Sequence, residues 1–203
     1  MCLGDSHTTT EAPLVQSFVS PLVQSFRLNL NSKQRCSVPS VRVSKELKEE
    51  LYFLTFTVHR WCYLFDRHNR WDILIDSLKY CQANKDLHIY HFVFMLNHMH
   101  LIAQSSDMVG FIRDFKTFTS KAIKKNIQET EQQILKLFKA GEAYHFWQKT
   151  NMPEVIRSDD FYREKAHYVE QNPVRKRYVS RAEDWIYSSA NKESALLKLE
   201  SIC

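Results

Sequence analysis

Two strand-like runs separated by only two residues restrict the fold of this chain more than any other feature. Residues 88–95 read HIYHFVFM and residues 98–104 read HMHLIAQ, and both are rich in aromatic, β-branched and other apolar side chains. Leu96 and Asn97 lie between them and leave room only for a tight turn, as in an antiparallel hairpin. The chain is therefore expected to fold around an antiparallel sheet.

The sequence on either side of this hairpin predicts further elements of an α+β fold. Residues 51–58 alternate like a strand, and apolar residues at helical spacing over residues 71–81 predict a helix. A second helix is expected from an N-cap at Ser106 or Asp107 to about Gln128. The predicted apolar stripe of this second helix consists of Phe111, Phe115, Phe118 and Ala122.

The C-terminal part of the chain predicts shorter elements and a last helix. A short helix is expected near residues 134–138, and residues 146–148 and 153–156 are candidates for a fourth strand. The last helix should begin at an N-cap at Ser158 or Asp159, run to about Gln171 and stop there, because Asn172 precedes a proline. The order β-α-β-β-α-(β)-α predicts a ferredoxin-like (RRM-like) antiparallel sheet with helices packed on one face.

The composition excludes several classes of protein. Only 3 of the 203 residues are Gly, and neither a Walker motif nor a dinucleotide fingerprint is present, so a nucleotide-binding loop is not expected. Lys and Arg outnumber Asp and Glu by 28 to 23, a mildly basic balance that permits nucleic-acid binding. Apolar runs stay well short of the roughly 18–20 residues that cross a bilayer, so a cytoplasmic protein without a membrane partner is expected.

The chain is expected to contain one folded domain with two flanking segments. Residues 1–45 are rich in Ser, Thr, Val and Pro, and the hexapeptide PLVQSF of residues 13–18 recurs at residues 21–26. This region is predicted to be a poorly ordered N-terminal extension. Residues 46–195 are predicted to form the domain, and residues 196–203 a C-terminal tail.

His98 and His100 form the first candidate site. Side chains at positions i and i+2 of a strand lie on the same face, whereas Met99 and Leu101 should point to the other face, into a core. Two adjacent imidazoles are half of a site for a divalent metal. The alternative is an exposed sheet face that carries two histidines without a ligand.

Tyr168 and Asn172 form the second candidate site. They are four residues apart and therefore share one face of a helix. A tyrosine at this position could attack a phosphorus centre, the Asn172 carboxamide could complete a metal site with the two histidines, and Lys165 could hold a phosphate. The alternative is a tyrosine at the edge of the core and an asparagine that caps the helix.

Four motifs taken together resemble the HUH single-tyrosine transposases, and most closely the REP-associated branch of that family. They are residues 95–101 (MLNHMHL), 146–148 (FWQ), 168–175 (YVEQNPVR) and 185–190 (WIYSSA), in the order that the family has them. The likeness covers about residues 49–190. It implies that the predicted domain is the catalytic domain, with the HUH endonuclease palm.

The resemblance implies a role for each candidate residue. His98 and His100 would bind Mg²⁺ or Mn²⁺, Asn172 would be a further metal ligand, and Tyr168 would be the nucleophile. The family nicks and rejoins single-stranded DNA beside hairpins through a covalent 5′-phosphotyrosine, and several members are dimers. A DNA transposase or endonuclease associated with the nucleoid is therefore expected. The family often has Gly shortly after the tyrosine motif, where this chain has Lys176 and Arg177.

Basic residues of the second helix and of the segment after Tyr168 are predicted to bind DNA, with solvated helix faces as the alternative. These residues, together with the lysine one turn before Tyr168, are Arg113, Lys116, Lys121, Lys124, Lys125, Lys165, Arg175, Lys176 and Arg177. Two other functions stay open from the sequence. One is a non-catalytic DNA-hairpin-binding protein of the same ancestry. The other is a metal-binding, ferredoxin-like protein without a role on DNA.

Overall fold

The structure is a computed structural model that describes residues 50–151 and 153–201. The predicted N-terminal extension over residues 1–45 lies outside the described residues. The elements in chain order are strand β1 (Tyr52–Thr57), helix α1 (Arg70–Asn84), strands β2 (Leu87–Phe94) and β3 (His98–Ser105), helix α2 (Met108–Thr130), strands β4 (Lys139–Ala140), β5 (Ala143–Tyr144) and β6 (Glu154–Val155), and helix α3 (Asp159–Arg175). The short helix predicted near residues 134–138 is a 3-10 helix, Gln132–Leu137.

Strands β2, β3, β1 and β6 form one antiparallel sheet in that order. The predicted hairpin of β2 and β3 is confirmed, and both strands of the pair have the predicted bounds to within one residue. The fourth strand comes from Glu154–Val155, which pairs with β1, while Trp147 makes an isolated bridge with Val58. This strand order and direction are those of a ferredoxin-like sheet, so the predicted fold class is confirmed.

One face of the sheet packs against α1 and α2 and forms the larger apolar core. Phe56 on β1 and Leu101 on β3 point into this layer and are fully buried. Phe56 makes edge-on ring contacts with Phe111 and Phe115 of α2, at centroid distances of 6.3 and 5.1 Å. Because successive side chains of a strand alternate between faces, the residues between these apolar positions are directed to the other side.

The buried stripe of α2 differs from the predicted one. Phe118 is 60% exposed, and Thr119 is buried in its place. The Thr119 hydroxyl donates to Phe115 O at 2.7 Å and accepts a hydrogen bond from Trp147 Nε1 at 2.9 Å, which satisfies this polar group inside the core. The buried stripe therefore follows every fourth residue: Phe111, Phe115, Thr119, Ile123 and Ile127.

Helix α3 packs on the opposite face of the sheet, over β2 and β3. A polar clamp fixes it to β2, because His91 Nδ1 lies 3.1 Å from Glu170 Oε1 and His91 Nε2 lies 3.0 Å from Tyr162 Oη. A smaller apolar cluster completes the contact, and its residues include Phe53, Val93, Ile102 and Val169.

Helices α2 and α3 begin at predicted N-caps. The Asp107 side chain accepts a hydrogen bond from Gly110 N–H at 2.9 Å, and the Ser158 hydroxyl accepts one from Phe161 N–H at 3.3 Å. Each bond satisfies an amide that the first turn of a helix leaves without a partner. None of the helices in the described part of the chain is long and apolar enough to cross a membrane.

Helix α3 continues past the predicted stop at Asn172. It runs through Pro173 to Arg175, so the predicted end at the proline is wrong. Pro173 lies in the last turn, where it removes one helical hydrogen bond, and Lys176 N–H still donates to Asn172 O at 3.1 Å. Arg177 then has φ 58°, a left-handed conformation that favours glycine and ends the helix.

The C-terminal segments cover the edge of the sheet that β2 leaves open. Residues 187–189 run beside this strand, and Ser189 N–H donates to Phe92 O at 2.9 Å. Residues 196–201, assigned to a tail from the sequence, pack on the domain, since Leu197 is buried in the larger core. Both segments protect strand hydrogen-bonding groups that would otherwise face solvent.

Candidate functional site

His98 and His100 lie side by side on β3, on the face that α3 covers. Their ring centroids are 5.0 Å apart, and the residues are only 6% and 4% exposed. Met99 and Leu101 point to the opposite face and are fully buried, as the alternation predicts. The two histidines are thus enclosed by the protein and are not carried on an exposed sheet face.

Each histidine is oriented by a hydrogen bond at its Nδ1 atom. His98 Nδ1 lies 2.8 Å from Asn97 Oδ1, and His100 Nδ1 lies 2.9 Å from Thr55 Oγ1. A carboxamide oxygen can only accept, so this contact assigns the proton to Nδ1 of His98 and leaves Nε2 with its lone pair. Thr55 is the β1 residue directly opposite His100, and its hydroxyl can accept in the same way. The lone pair of His98 therefore lies on Nε2, and that of His100 lies there when the Thr55 hydroxyl accepts.

Burial keeps both imidazoles neutral. Desolvation and the charge of Lys176 lower the pKa of His98 to about 4, although a hydrogen bond with Asn172 acts in the opposite direction. Desolvation, followed by the charges of His98 and Lys165, lowers the pKa of His100 well below its ordinary value. Both rings are unprotonated at neutral pH, which is the form that binds a metal ion.

Helix α3 carries Tyr168 and Asn172 onto the two histidines. The half-buried Tyr168 ring stands edge-on to His100, with 5.2 Å between centroids, and also contacts Phe53. Asn172 lies one turn further along the helix, is buried, and hydrogen-bonds His98. The four-residue spacing predicted that Tyr168 and Asn172 share one face of a helix. In the structure, this face of α3 packs against β3, where the two histidines lie.

Two of the three buried polar side-chain atoms without a hydrogen-bond partner among the described residues belong to this cluster. They are His100 Nε2 and Asn172 Oδ1. Such atoms are rare because each costs about 1–3 kcal/mol when it is left unpaired. Both can donate an electron pair to a cation, so His98, His100 and Asn172 fit a divalent metal.

The donor set of this candidate metal site is unusual because it contains no carboxylate. Within the described residues, no group of three or more His, Cys, Asp or Glu side chains is arranged to hold a metal ion. The third donor beside the two imidazoles is the amide oxygen of Asn172. All three donors are neutral, so they would leave the full charge of a bound cation available to an anionic substrate.

Arg175, Lys176 and Arg177 bring positive charge to the end of α3 beside the cluster. The guanidinium carbon of Arg175 lies 5.0 Å from the centroid of the Tyr168 ring. Lys176 is exposed, yet its charge is near enough to lower the pKa of His98. Arg177 is exposed at the left-handed residue that ends the helix.

Lys165 has a different setting from these three cations. Its Nζ forms an ion pair with Glu154 at 2.9 Å and lies 4.6 Å from the centroid of the Phe53 ring. Glu154 belongs to β6, so the ion pair fastens α3 to the edge of the sheet. The charge of Lys165 still acts on His100, whose pKa it helps to lower.

The basic residues of α2 are not brought to the cluster, because α2 packs on the other face of the sheet. Lys116 is half-buried, donates to Gln148 O at 2.8 Å, and has its pKa lowered by burial to about 8. Arg113 is exposed and pairs with the neighbouring Asp114 at 2.8 Å. The remaining members of this group on α2 are Lys121, Lys124 and Lys125.

The loop that follows β1 adds Trp61 to the rim of the cluster. Trp61 is 57% exposed, and its ring centroid lies 5.8 Å from that of His98. Arg60 and Trp61 both have φ 57°, a left-handed conformation that costs residues with a Cβ roughly 1–2 kcal/mol each. Asn97 Nδ2 donates to Trp61 O at 2.9 Å and holds this loop in place.

Thr55, Asn97 and Trp61 are functional candidates that sequence reasoning missed. The alternation of residues 51–58 places Thr55 on the face opposite the apolar core, so the sequence alone could have identified Thr55 as a candidate. Asn97 was interpreted only as a turn residue. Trp61 offers no comparable signal, because the direction of a loop side chain depends on tertiary contacts.

Comparisons with known proteins bear on the fold. The sequence matched neither a protein family nor a curated protein. Among solved structures, that of a REP-associated tyrosine transposase bound to a REP hairpin is similar, with a TM-score of 0.57 and 20% sequence identity. The similarity covers 77% of this chain and 87% of that chain. The two chains therefore have the same fold.

Proposed function

We propose that this chain is a metal-dependent, single-tyrosine DNA endonuclease and strand transferase of the HUH type. The observation that carries the proposal is the cluster under α3, where Tyr168 stands beside His100 and where His100 Nε2 and Asn172 Oδ1 have no partner among the described residues. The four ordered sequence motifs and the fold shared with a hairpin-bound transposase support it.

Tyr168 is the nucleophile in this proposal. Its Oη forms a bond to the phosphorus of the scissile phosphodiester and loses its proton to solvent, while the bond from phosphorus to the 3′ oxygen breaks and this oxygen takes up a proton from solvent. The products are a 5′-phosphotyrosine and a free 3′-OH. Attack of a 3′-OH on the phosphotyrosine reverses the step and joins the strands. The phosphotyrosine conserves the free energy of the phosphodiester, so the reaction needs no nucleoside triphosphate.

His98, His100 and Asn172 would hold Mg²⁺ or Mn²⁺. When bound, such an ion polarises the phosphodiester and offsets the negative charge that otherwise repels a nucleophile. Asn97 and Thr55 keep the two imidazoles in the tautomer and orientation that present Nε2. Arg175, above the Tyr168 ring, places a fixed cation where negative charge would develop on the phenol oxygen.

The proposed substrate is single-stranded DNA beside a hairpin. Arg175, Lys176 and Arg177 would bind its phosphates at the end of α3, so the affinity should fall steeply with salt. The basic residues of α2 would contact only DNA that reaches round to the other face of the sheet. The proposal also allows a homodimer, and it places the protein in the cytoplasm on nucleoid DNA.

A covalent-adduct assay tests this function. Labelled single-stranded hairpins from the DNA that flanks the gene would be incubated with Mn²⁺, with Mg²⁺ or with EDTA, and separated on a denaturing gel. We expect an SDS-resistant protein–DNA band that depends on the metal and vanishes in Tyr168→Phe. Tyr162→Phe is the matched control, since it removes a hydroxyl from the same helix at the His91 clamp and should keep the band.

Each other outcome points to a different function. A hairpin that shifts in a native gel without forming an adduct would indicate a non-catalytic DNA-binding protein. Manganese binding without any interaction with DNA would indicate a metal-binding protein outside DNA chemistry. An adduct that persists in Tyr168→Phe would contradict the assignment of the nucleophile.

A further inference from the structure

Trp61 is the one exposed tryptophan of the chain, and it lies at the entrance to the histidine cluster. All four tryptophans are within the described residues. Trp147 is buried, and Trp71 and Trp185 are half-buried, whereas Trp61 is 57% exposed. Its ring meets that of His98 at 67° with 5.8 Å between centroids, so a large apolar surface is available beside the candidate metal site.

The backbone that carries Trp61 is held in a costly conformation. Both Arg60 and Trp61 adopt φ 57°, which is unfavourable for bulky side chains. Trp61 N–H donates to Val58 O at 3.0 Å, and Asn97 Nδ2 donates to Trp61 O at 2.9 Å. Strain that is maintained by several contacts tends to mark functional positions. Here it holds an exposed indole in place beside the cluster.

Asn97 links this loop directly to the chemistry of the site. Its Nδ2 holds the Trp61 carbonyl, while its Oδ1 accepts the proton of His98 Nδ1 at 2.8 Å. One side chain therefore fixes both the indole position and the orientation of a candidate metal ligand. A ligand group that contacts Trp61 would therefore be held at a fixed position relative to the candidate metal site.

The charges around Trp61 favour an anionic partner with a flat apolar part. Arg60 is exposed next to it, and Lys176 is near enough to His98 to act on its pKa. A single-stranded nucleic acid has both properties, because its phosphates pair with cations and every base offers a π-face. An aliphatic partner would gain nothing from the neighbouring cations.

We propose that Trp61 is a stacking platform for one unpaired nucleobase next to the scissile phosphate, a site that rests on the proposed action on single-stranded DNA. The base lies on the outer face of the indole, and Arg60 binds a phosphate beside it. This contact sets which nucleotide of the strand is placed at Tyr168. It acts by position and tolerates different bases, because stacking does not read base edges.

The test measures hairpin DNA affinity in a Tyr168→Phe background, so that cleavage cannot distort it. An abasic site is moved one nucleotide at a time along the unpaired strand. We expect one position at which the abasic site weakens binding by roughly 5- to 150-fold, the range for loss of one base stack. Trp61→Ala should weaken binding equally and make that position insensitive, whereas Trp61→Phe should keep most of the affinity.

Tyr80→Ala is the matched control, because Tyr80 is 59% exposed but lies on α1, at the other face of the sheet. A second readout is 2-aminopurine at the sensitive position, whose fluorescence Trp61 should quench and Trp61→Ala should not. Circular dichroism checks that each variant is folded.

Three results would overturn the inference. The first is an affinity of Trp61→Ala within twofold of its parent, and the second is an abasic profile that Trp61→Ala leaves unchanged. Either result, when the protein with Tyr168 intact still forms the covalent adduct, would remove only the stacking platform and leave the proposed function intact. The third is a parent that binds no single-stranded DNA, which would remove both. A normal stacking profile without an adduct would keep the platform and contradict the nuclease.

Discussion

The two faces of the central sheet differ in whether the polar groups buried on them have hydrogen-bond partners. On the α1–α2 face, Leu101 packs in hydrocarbon, and the polar groups of Thr119 and Trp147 bond to one another. On the α3 face, His98 and His100 are also buried, yet His100 Nε2 has no partner among the described residues. Alternate residues of one strand thus lie in an apolar core on one side and in the candidate metal site on the other.

The two faces also differ in how their helices are attached. Helices α1 and α2 are held by a large apolar core. Helix α3 rests on a smaller apolar cluster and is flanked by polar clamps, formed by His91 with Glu170 on one side and by Lys165 with Glu154 on the other. Directional contacts fix the position of a helix more closely than apolar area does, which suits the role proposed for Tyr168 on α3.

Adjacent substitutions on β3 should have opposite effects. His100→Leu is expected to abolish the metal-dependent adduct. Its free energy of unfolding should stay within about 1 kcal/mol, because removal of the unpaired Nε2 offsets the loss of the hydrogen bond between Nδ1 and Thr55. Leu101→Ala should lower the free energy of unfolding by about 2–5 kcal/mol, while any protein that stays folded keeps its activity. Denaturant unfolding and the adduct gel measure the two effects. Similar losses of stability in both variants would contradict the assignment of stability to the α1–α2 face and of activity to the α3 face.

The α3 face should also make stability depend on pH in the metal-free protein. His98 has a pKa of about 4 when folded and about 6.5 when unfolded, so the unfolded state takes up the proton first as the pH falls. The contribution of His98 is intact above pH 6.5 and is lost between pH 6.5 and 4, by up to about 3 kcal/mol. Urea unfolding in EDTA from pH 8 to 4 should show this decline, and His98→Leu should make it shallower, with the part due to His100 remaining. An unchanged decline in the variant would contradict the burial of a neutral imidazole.

Loss of the hydrogen bond to a ligand should weaken the metal site less than loss of the ligand itself. Thr55→Val removes the partner of His100 Nδ1 and is expected to reduce Mn²⁺ affinity by about 10- to 100-fold. Thr57→Val is the matched control, since it makes the same change two residues along the same strand face and keeps the Thr55–His100 bond. Calorimetric titration with Mn²⁺ compares them. Equal affinities in the two variants would remove the orienting role of Thr55.

The smallest expected effect is a difference in the salt dependence of DNA binding between a cation on α3 and a cation on α2. Arg175→Gln is expected to reduce the slope of log affinity against log salt by about 1, because it removes one phosphate contact beside Tyr168. Lys125→Gln, on α2, should change the slope less for a short single strand. Binding titrations at several salt concentrations measure both. An equal change in slope would show that DNA also runs over the α2 face.

The sequence predicted those features that depend on local periodicity. Alternation and helical spacing gave the sheet, its hairpin, the placement of His98 with His100 on one face, and the alignment of Tyr168 with Asn172. Each of these relations lies within a single element, so the geometry of that element determines it.

Features that depend on contacts between elements were predicted poorly or not at all. The predicted apolar stripe of α2 did not include Thr119, because its hydrogen-bond partner, Trp147, is far away in the chain. Helix α3 passes Pro173, since only one hydrogen bond is lost in a last turn that is already packed on the sheet. Trp61 stayed unnoticed because its exposure and position depend on Asn97, in a different turn.

The most direct test of the account is to identify the residue that carries the DNA. Trypsin should release residues 166–175 (AHYVEQNPVR), a peptide that contains Tyr168 as its single hydroxyl side chain. After reaction with hairpin DNA, trimming with nuclease and digestion, tandem mass spectrometry should find this peptide with a 5′-linked nucleotide on Tyr168. Attachment to a different peptide, or the unmodified peptide alone from a reaction that has cleaved the DNA, would contradict the account.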